Sequence, residues 1–132
     1  MKAVRYVLVP LVLALTATTT AMSASASAAR VTLTNADNGR AVSVRAGEEV
    51  HVRLTGTRGQ GVTWTWSEPK AGSPGTLERI GGSLSPNGDA TAVFRVTGPG
   101  LSDITAVRRC HPAPGSQCPQ VVQPWKVTVE VL

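Results

Sequence analysis

Val62-Thr63-Trp64-Thr65-Trp66-Ser67 alternates apolar and polar residues with a period of two. In an extended chain that spacing sends Val62, Trp64 and Trp66 to one face and both threonines to the other. Tryptophans that share a face with a valine are core residues more often than a binding platform. The stretch therefore reads as a strand anchored in a hydrophobic core. Directly before it, Thr55-Gly56-Thr57-Arg58-Gly59-Gln60-Gly61 reads as a mobile, glycine-rich loop. A loop of that kind feeding a tryptophan-anchored strand suits a β-sandwich that presents a binding surface.

Strand patterns recur on both sides, separated by Gly, Pro and Asn. Val31 to Thr34 opens the domain. Asn38-Gly39 is a two-residue turn signal, because both residues tolerate positive φ. Ala41 to Arg45 and Glu49 to Leu54 follow, the latter with Val50, Val52 and Leu54 inward and Glu49, His51 and Arg53 outward. After a proline- and glycine-rich loop, Glu68 to Gly75, a short strand or irregular edge is expected over Leu77 to Ile80. Ala90 to Thr97 points Ala92, Phe94 and Val96 inward. Ser102 to Arg109 does the same with Ile104 and Ala106, and Trp125 to Val131 with Val127, Val129 and Val131. Trp125 itself fits either the core or a loop-supporting position. No ten-residue stretch of this region shows helical spacing of apolar residues. About seven or eight strands with turns every 8–12 residues is the pattern of an all-β, antiparallel sandwich. Counting strands puts three loops at one end: Thr55–Gly61, Ser83–Asp89 and Cys110–Cys118.

The first 29 residues have a different composition. Lys2 and Arg5 precede an apolar run, Val7 to Leu15, broken at Pro10. A Thr/Ser/Ala stretch then ends in Ala26-Ser27-Ala28-Ala29. That order predicts a cleaved secretory signal peptide over 1–29 and an exported, extracellular domain over 30–132. The run is too short to span a bilayer, and no membrane role is expected after cleavage. The chain has 13 basic and 8 acidic residues. With Lys2 and Arg5 gone, 11 basic residues remain against 8 acidic, a net +3. The arginines are scattered, which argues against nucleic acid and reads as solvated strand faces.

Cys110 and Cys118 are the two cysteines. A close, even pair in an exported domain predicts a disulfide, closing a ring of about nine residues and contributing roughly 2–3 kcal/mol. A metal site built from Cys110, His111 and Cys118 would lack a fourth ligand, and no metal or cofactor is expected. The Cys110–Cys118 loop, with Pro112 and Pro114, is either a stapled clip or a preorganised contact loop. Enzyme motifs are missing: there is no Gly-x-Ser-x-Gly, Walker loop or His-Glu-x-x-His in the sequence. Glu48 and Glu49 point to opposite faces of a strand, so they cannot act as an acid/base pair. His51 reads as solvated and His111 as a loop residue.

In order and spacing, Asn38-Gly39, Val42-x-Val44, Gly47-Glu48 with Val50, Val52 and Leu54, Gly61 and Trp64, Phe94, Gly100 and Val127-x-Val129-x-Val131 resemble the chagasin-like family of cysteine protease inhibitors. The resemblance spans about Val31 to Leu132. It implies an immunoglobulin-like sandwich, no catalytic activity, and a monomer that places three loops in the active-site cleft of a papain-like cysteine protease. Thr55–Gly61 would be the central loop, with Thr57, Arg58, Gly59, Gln60 and Gly61 at the contact. Asn87 and Gly88 would brace one side, and His111, Pro112 and Pro114 the other. The family's central loop reads Asn-Pro-x-Thr-Gly-Tyr/Phe, of which this chain keeps Gly61. The alternative function on the same scaffold is a general extracellular module that binds a protein or glycan.

Overall fold

The computed structural model describes residues 13–18 and 29–132; the expected signal peptide lies mostly outside the described residues. Among residues 29–132 the regular secondary structure is all strand apart from one short 3-10 turn. In chain order the strands are β1 (Arg30–Thr34), β2 (Ala41–Val44), β3 (Glu49–Leu54), β4 (Thr57–Gly59), β5 (Val62–Trp66), β6 (Lys70–Ala71), β7 (Leu77–Leu84), β8 (Ala90–Val96), β9 (Gly100–Pro112) and β10 (Gln123–Val131), with the 3-10 turn at Asn35–Asp37. They form a four-stranded sheet, β1-β3-β8-β7, and a six-stranded sheet, β2-β10-β9-β5-β4, in which β6 also pairs with β9.

Both sheets are mixed, which corrects the expectation of a purely antiparallel sandwich. β1 runs parallel to β3, and β2 parallel to β10. The cause is the turn at Asn38-Gly39. Asn38 has φ −54° and ψ 129°, Gly39 has φ +82°, and the Arg40 N–H donates to the Asp37 carbonyl at 3.0 Å. That is a type II turn, whose twist splays the flanking strands instead of pairing them. Lys126 holds the turn on β10: its N–H donates to the Asn38 side-chain oxygen at 2.9 Å, and its carbonyl accepts from the Gly39 N–H at 2.7 Å. The chain therefore passes from the edge of one sheet to the edge of the other.

The core lies between the sheets where the alternation places it. Val50, Val52, Leu54, Ala92, Phe94, Val96, Ile104, Ala106, Val127 and Val129 are all buried, with Leu33, Val44 and Leu77; Val131 is partly buried against them. Trp125 is 1 % exposed, which decides for the core, and its burial is worth about 2–3 kcal/mol. Its ring N–H donates to the Thr34 carbonyl at 3.1 Å, joining the two sheets. β7 and β9 run well past their expected bounds. β7 continues past its expected end at Ile80 through Gly81-Gly82; a bulge between Arg79 and Gly81 absorbs the irregularity, as glycines in strands often mark. β9 runs on to Pro112 because β5 and β10 both pair along it.

The direction of the strands sorts the connections. The 3-10 turn and Asn38-Gly39, the β4–β5 turn, the β7–β8 turn and the segment after β9 all lie at one pole. Arg45–Glu48 and Thr97–Pro99 lie at the other, tied by the Gly47 N–H to the Val96 carbonyl at 2.8 Å.

Candidate functional site: three joined tips at one pole

The first tip is an ordered hairpin, not the mobile loop expected from its glycines. Thr57 pairs with Trp64, Arg58 with Thr63 and Gly59 with Val62. Gln60 and Gly61 form the turn with φ +52° and +75°. Two successive left-handed residues make a type I′ turn, whose twist matches that of paired strands. Thr57, Arg58, Gly59, Gln60 and Gly61 are all exposed.

The second tip, Ser85 to Asp89, folds on itself. The Ser85 N–H donates to the Asp89 carbonyl at 2.9 Å, and the Gly88 N–H to the Ser85 carbonyl at 3.0 Å. It also packs under the hairpin. The Asp89 carboxylate accepts the Gly56 N–H at 2.7 Å, and the Gly88 carbonyl accepts the Trp66 N–H at 2.9 Å. Asn87 is exposed at the tip, whereas Gly88 is buried. Gly88, expected beside Asn87 at the contact, sits just beneath it and packs on the hairpin. A β-carbon there would lie 2.8 Å from the Trp64 carbonyl oxygen, so only glycine lets the two backbones meet.

The third tip is closed by the Cys110–Cys118 disulfide. The bond uses both thiols, which removes the metal-site reading of Cys110, His111 and Cys118. Among the described residues no group of three or more His, Cys, Asp or Glu gathers to hold an ion. The Ser116 N–H donates to the Ala113 carbonyl at 3.0 Å around Pro114 and Gly115, the latter at φ +83°. Proline followed by a left-handed glycine is the type II turn sequence. His111, Pro112 and Pro114 are exposed. His111 shares a hydrogen bond at 2.8 Å with the Thr65 hydroxyl, so its ring is held on the outer face of the sheet.

The three tips touch. The Ala113 N–H donates to the Gly61 carbonyl at 2.8 Å, and a side chain at Gly61 would run into Ser116. On the other flank Gly56 lies against Asn87 and Gly88. The hairpin is thus in the middle, braced by the second tip on one side and the cystine loop on the other. Loops with few free torsions lose little entropy when a partner arrives.

Below the tips the sandwich is capped by a pair of side chains that the sequence did not single out as partners. Of Val62, Trp64 and Trp66, only Trp66 is buried; Val62 and Trp64 stand half-buried beyond the end of the core. The Arg108 guanidinium lies over the Trp64 ring at 4.8 Å and faces the Trp66 ring at 5.7 Å. It also donates to the Gln123 side chain. Arg108 is therefore not a solvated strand residue as expected, but a cation seated on aromatic faces. The Trp66 ring N–H donates to the Thr55 carbonyl at 2.9 Å. An open groove of about 380 Å³, lined by Asn35, Trp66, Arg108, Val122 and Trp125, runs beside this stack.

Two carboxylates outside the three tips are held in the ionised form, Asp37 at the same pole and Glu49 at the start of β3. The Thr34 N–H, at 2.7 Å, is the main reason Asp37 ionises below its ordinary value, with Arg40 at 2.7 Å adding to it. The hydrogen bond from His51, at 2.8 Å, does the same for Glu49. His51 is consequently half-buried and partnered, not solvated. Glu48 instead accepts the Arg45 N–H at 3.0 Å.

No protein-family model matches the sequence, and no curated protein matches it. Solved structures do share its shape. The cysteine protease inhibitor EhICP2 of Entamoeba histolytica superposes with a TM-score of 0.54 at 11% identity, over 79% of this chain and 96% of that one. The inclusion body protein PixA of Burkholderia cenocepacia superposes at 0.52 and 8% identity, over 85% and 100%. A looser likeness, TM-score 0.45 at 16% identity over 80% and 91%, joins PbICP-C, whose structure is a complex with falcipain-2. At these identities the shared property is the β-sandwich fold, and the third likeness is too loose to count toward it.

Proposed function

We propose that this chain is an exported, monomeric protease inhibitor of chagasin-like type, which occludes the cleft of a papain-like cysteine protease without any catalytic step of its own. The observation that carries this reading is the joining of the three tips into one rigid edge at a single pole. A wedge of that kind fills a cleft by shape, and its backbone can approach closely at Gly59 and Gly61. The fold shared with EhICP2 supports the reading, as does the order of motifs from Asn38-Gly39 to Val131. The contact would consist of Thr57, Arg58, Gly59, Gln60 and Gly61, flanked by Asn87 and by His111, Pro112 and Pro114. The signal-peptide pattern of residues 1–29 supports export.

One observation favours the second reading, a binding module with another target. The tips keep little of the family's contact residues: Val62 stands where the central loop has an aromatic, and Arg108-Arg109-Cys110-His111-Pro112 has no tryptophan where the third loop reads Arg-Pro-Trp. The fold shared with PixA is compatible with either. The deciding experiment is inhibition of several papain-like proteases by residues 30–132 and by a variant in which Thr57–Gln60 is exchanged for an unrelated four-residue sequence. The inhibitor reading expects inhibition that the exchange abolishes. Absence of inhibition at micromolar concentration in every enzyme would decide for the binding module.

A further inference from the structure

The outer face of the six-stranded sheet, next to the hairpin tip, carries cations without a carboxylate partner. Arg58 on β4 pairs with Thr63 on β5, Thr63 with His111 on β9, and Thr65 with Arg109. Residues directly opposite one another share a face. Arg58, Arg109 and His111 therefore stand together around Thr63 and Thr65, on the side of the sheet away from Arg108 and the tryptophans. All three are exposed. The ion pairs among the described residues use Arg40, His51, Arg79 and Lys126; Arg58 and Arg109 are in none of them. The carboxylate of the second tip, Asp89, is occupied by Gly56 and Asn87.

We propose that this face docks an acidic segment of the protein whose cleft the tips enter. The identity of that partner rests on the inhibitor reading; the acidity of what docks rests on the face alone. β4 and β9 flank β5 and Arg109 stands two residues along β9 from the position facing Arg58, so the two are anchored about 12 Å apart, a spacing that suits two carboxylates on one surface better than one bidentate group. Each guanidinium is permanently charged and can bind a carboxylate through two parallel hydrogen bonds. The face is continuous with the hairpin, since Arg58 lies two residues from Gln60, so one docking event engages both. A nucleic acid would call for a longer stripe of cations. Being exposed, the cluster acts chiefly on the rate of encounter, where attraction is unscreened at low salt.

The test compares residues 30–132 with an Arg58→Ala/Arg109→Ala variant and with an Arg45→Ala/Arg53→Ala variant that removes equal charge elsewhere. Association rates with a papain-like protease are measured from about 0.02 to 0.5 M NaCl. The wild type and the Arg45/Arg53 variant are expected to slow roughly tenfold with salt, and the Arg58/Arg109 variant to be slow at low salt and nearly insensitive to it. Equal salt dependence in all three overturns the proposal. A second readout needs no protease: amide NMR titration with hexaglutamate. Shifts at Arg58, Thr63, Thr65, Arg109 and His111 that vanish in the Arg58/Arg109 variant are expected. Shifts elsewhere, no shifts, or preference for a heparin tetrasaccharide over hexaglutamate overturn the proposal. Hexaglutamate shifts without inhibition of any papain-like enzyme would retire the inhibitor reading and leave the acidic docking face standing.

Discussion

Gly88 and Gly56 meet at the base of the tips with no room for a methyl group. At Gly88 the backbone is left-handed, φ +93°, and a β-carbon would press on the Trp64 carbonyl and on Thr65. Gly88→Ala is therefore expected to lower stability by about 1–3 kcal/mol, read from urea unfolding; a change below about 0.5 kcal/mol would mean that the tips do not pack this way. Asp37 gives a prediction in pH. Its folded pKa lies below the ordinary value of 3.8, first through the Thr34 N–H. The stabilisation it supplies is complete above that value and is lost as the pH falls through the depressed folded pKa. Wild type and Asp37→Asn should therefore differ most at neutral pH and converge on acidification; a difference that grows toward acid contradicts the assignment. The role of Gly88 could not be read from the sequence, where Asn87-Gly88 is simply a turn signal. Only the neighbouring backbone, brought in from β5, tells that the glycine is there for closeness.

Between β4 and β5 the sequence is legible once the turn is recognised. Gln60-Gly61 occupies the two turn positions that Asn-Gly fills in the commonest hairpins. It was obscured because Thr57-Arg58-Gly59 is short, polar and devoid of the alternation that marks a strand. Gln60 adopts φ +52°, which is costly for a residue other than Gly, Asn or Asp. Gln60→Asn should accordingly raise stability by about 0.5–1 kcal/mol in thermal unfolding; a lowered midpoint would argue against the type I′ turn. On the adjoining element, Cys110→Ser/Cys118→Ser should cost roughly 2–3 kcal/mol and increase amide exchange at Ala113 and Ser116. Loss of stability without faster exchange there would show that the disulfide does not hold the third tip. The arginine-on-tryptophan cap was hidden for a different reason: Trp64 and Arg108 are far apart in sequence, and alternation alone assigns a face but names no partner across the sheet.

Across the whole molecule, the inward-facing residues were readable almost without exception, because a period of two leaves each strand one way to bury its apolar side chains. The mixed pairing was not. Whether Asn38-Gly39 closes a hairpin or throws the chain to the opposite sheet depends on the sign of φ at Asn38, which either turn permits. The shared pole followed from the strand count, but its compactness follows from contacts at Gly56, Gly61 and Gly88 that have no sequence signature beyond glycine itself. The inhibitor reading requires the three tips to meet a partner as one edge. The decisive measurement is amide hydrogen exchange of residues 30–132, free and mixed with a papain-like protease. Joint protection of 57–61, 85–89 and 110–118 is predicted, with 45–48 and 97–99 unchanged; protection confined to one tip, or moved to the opposite pole, would contradict it.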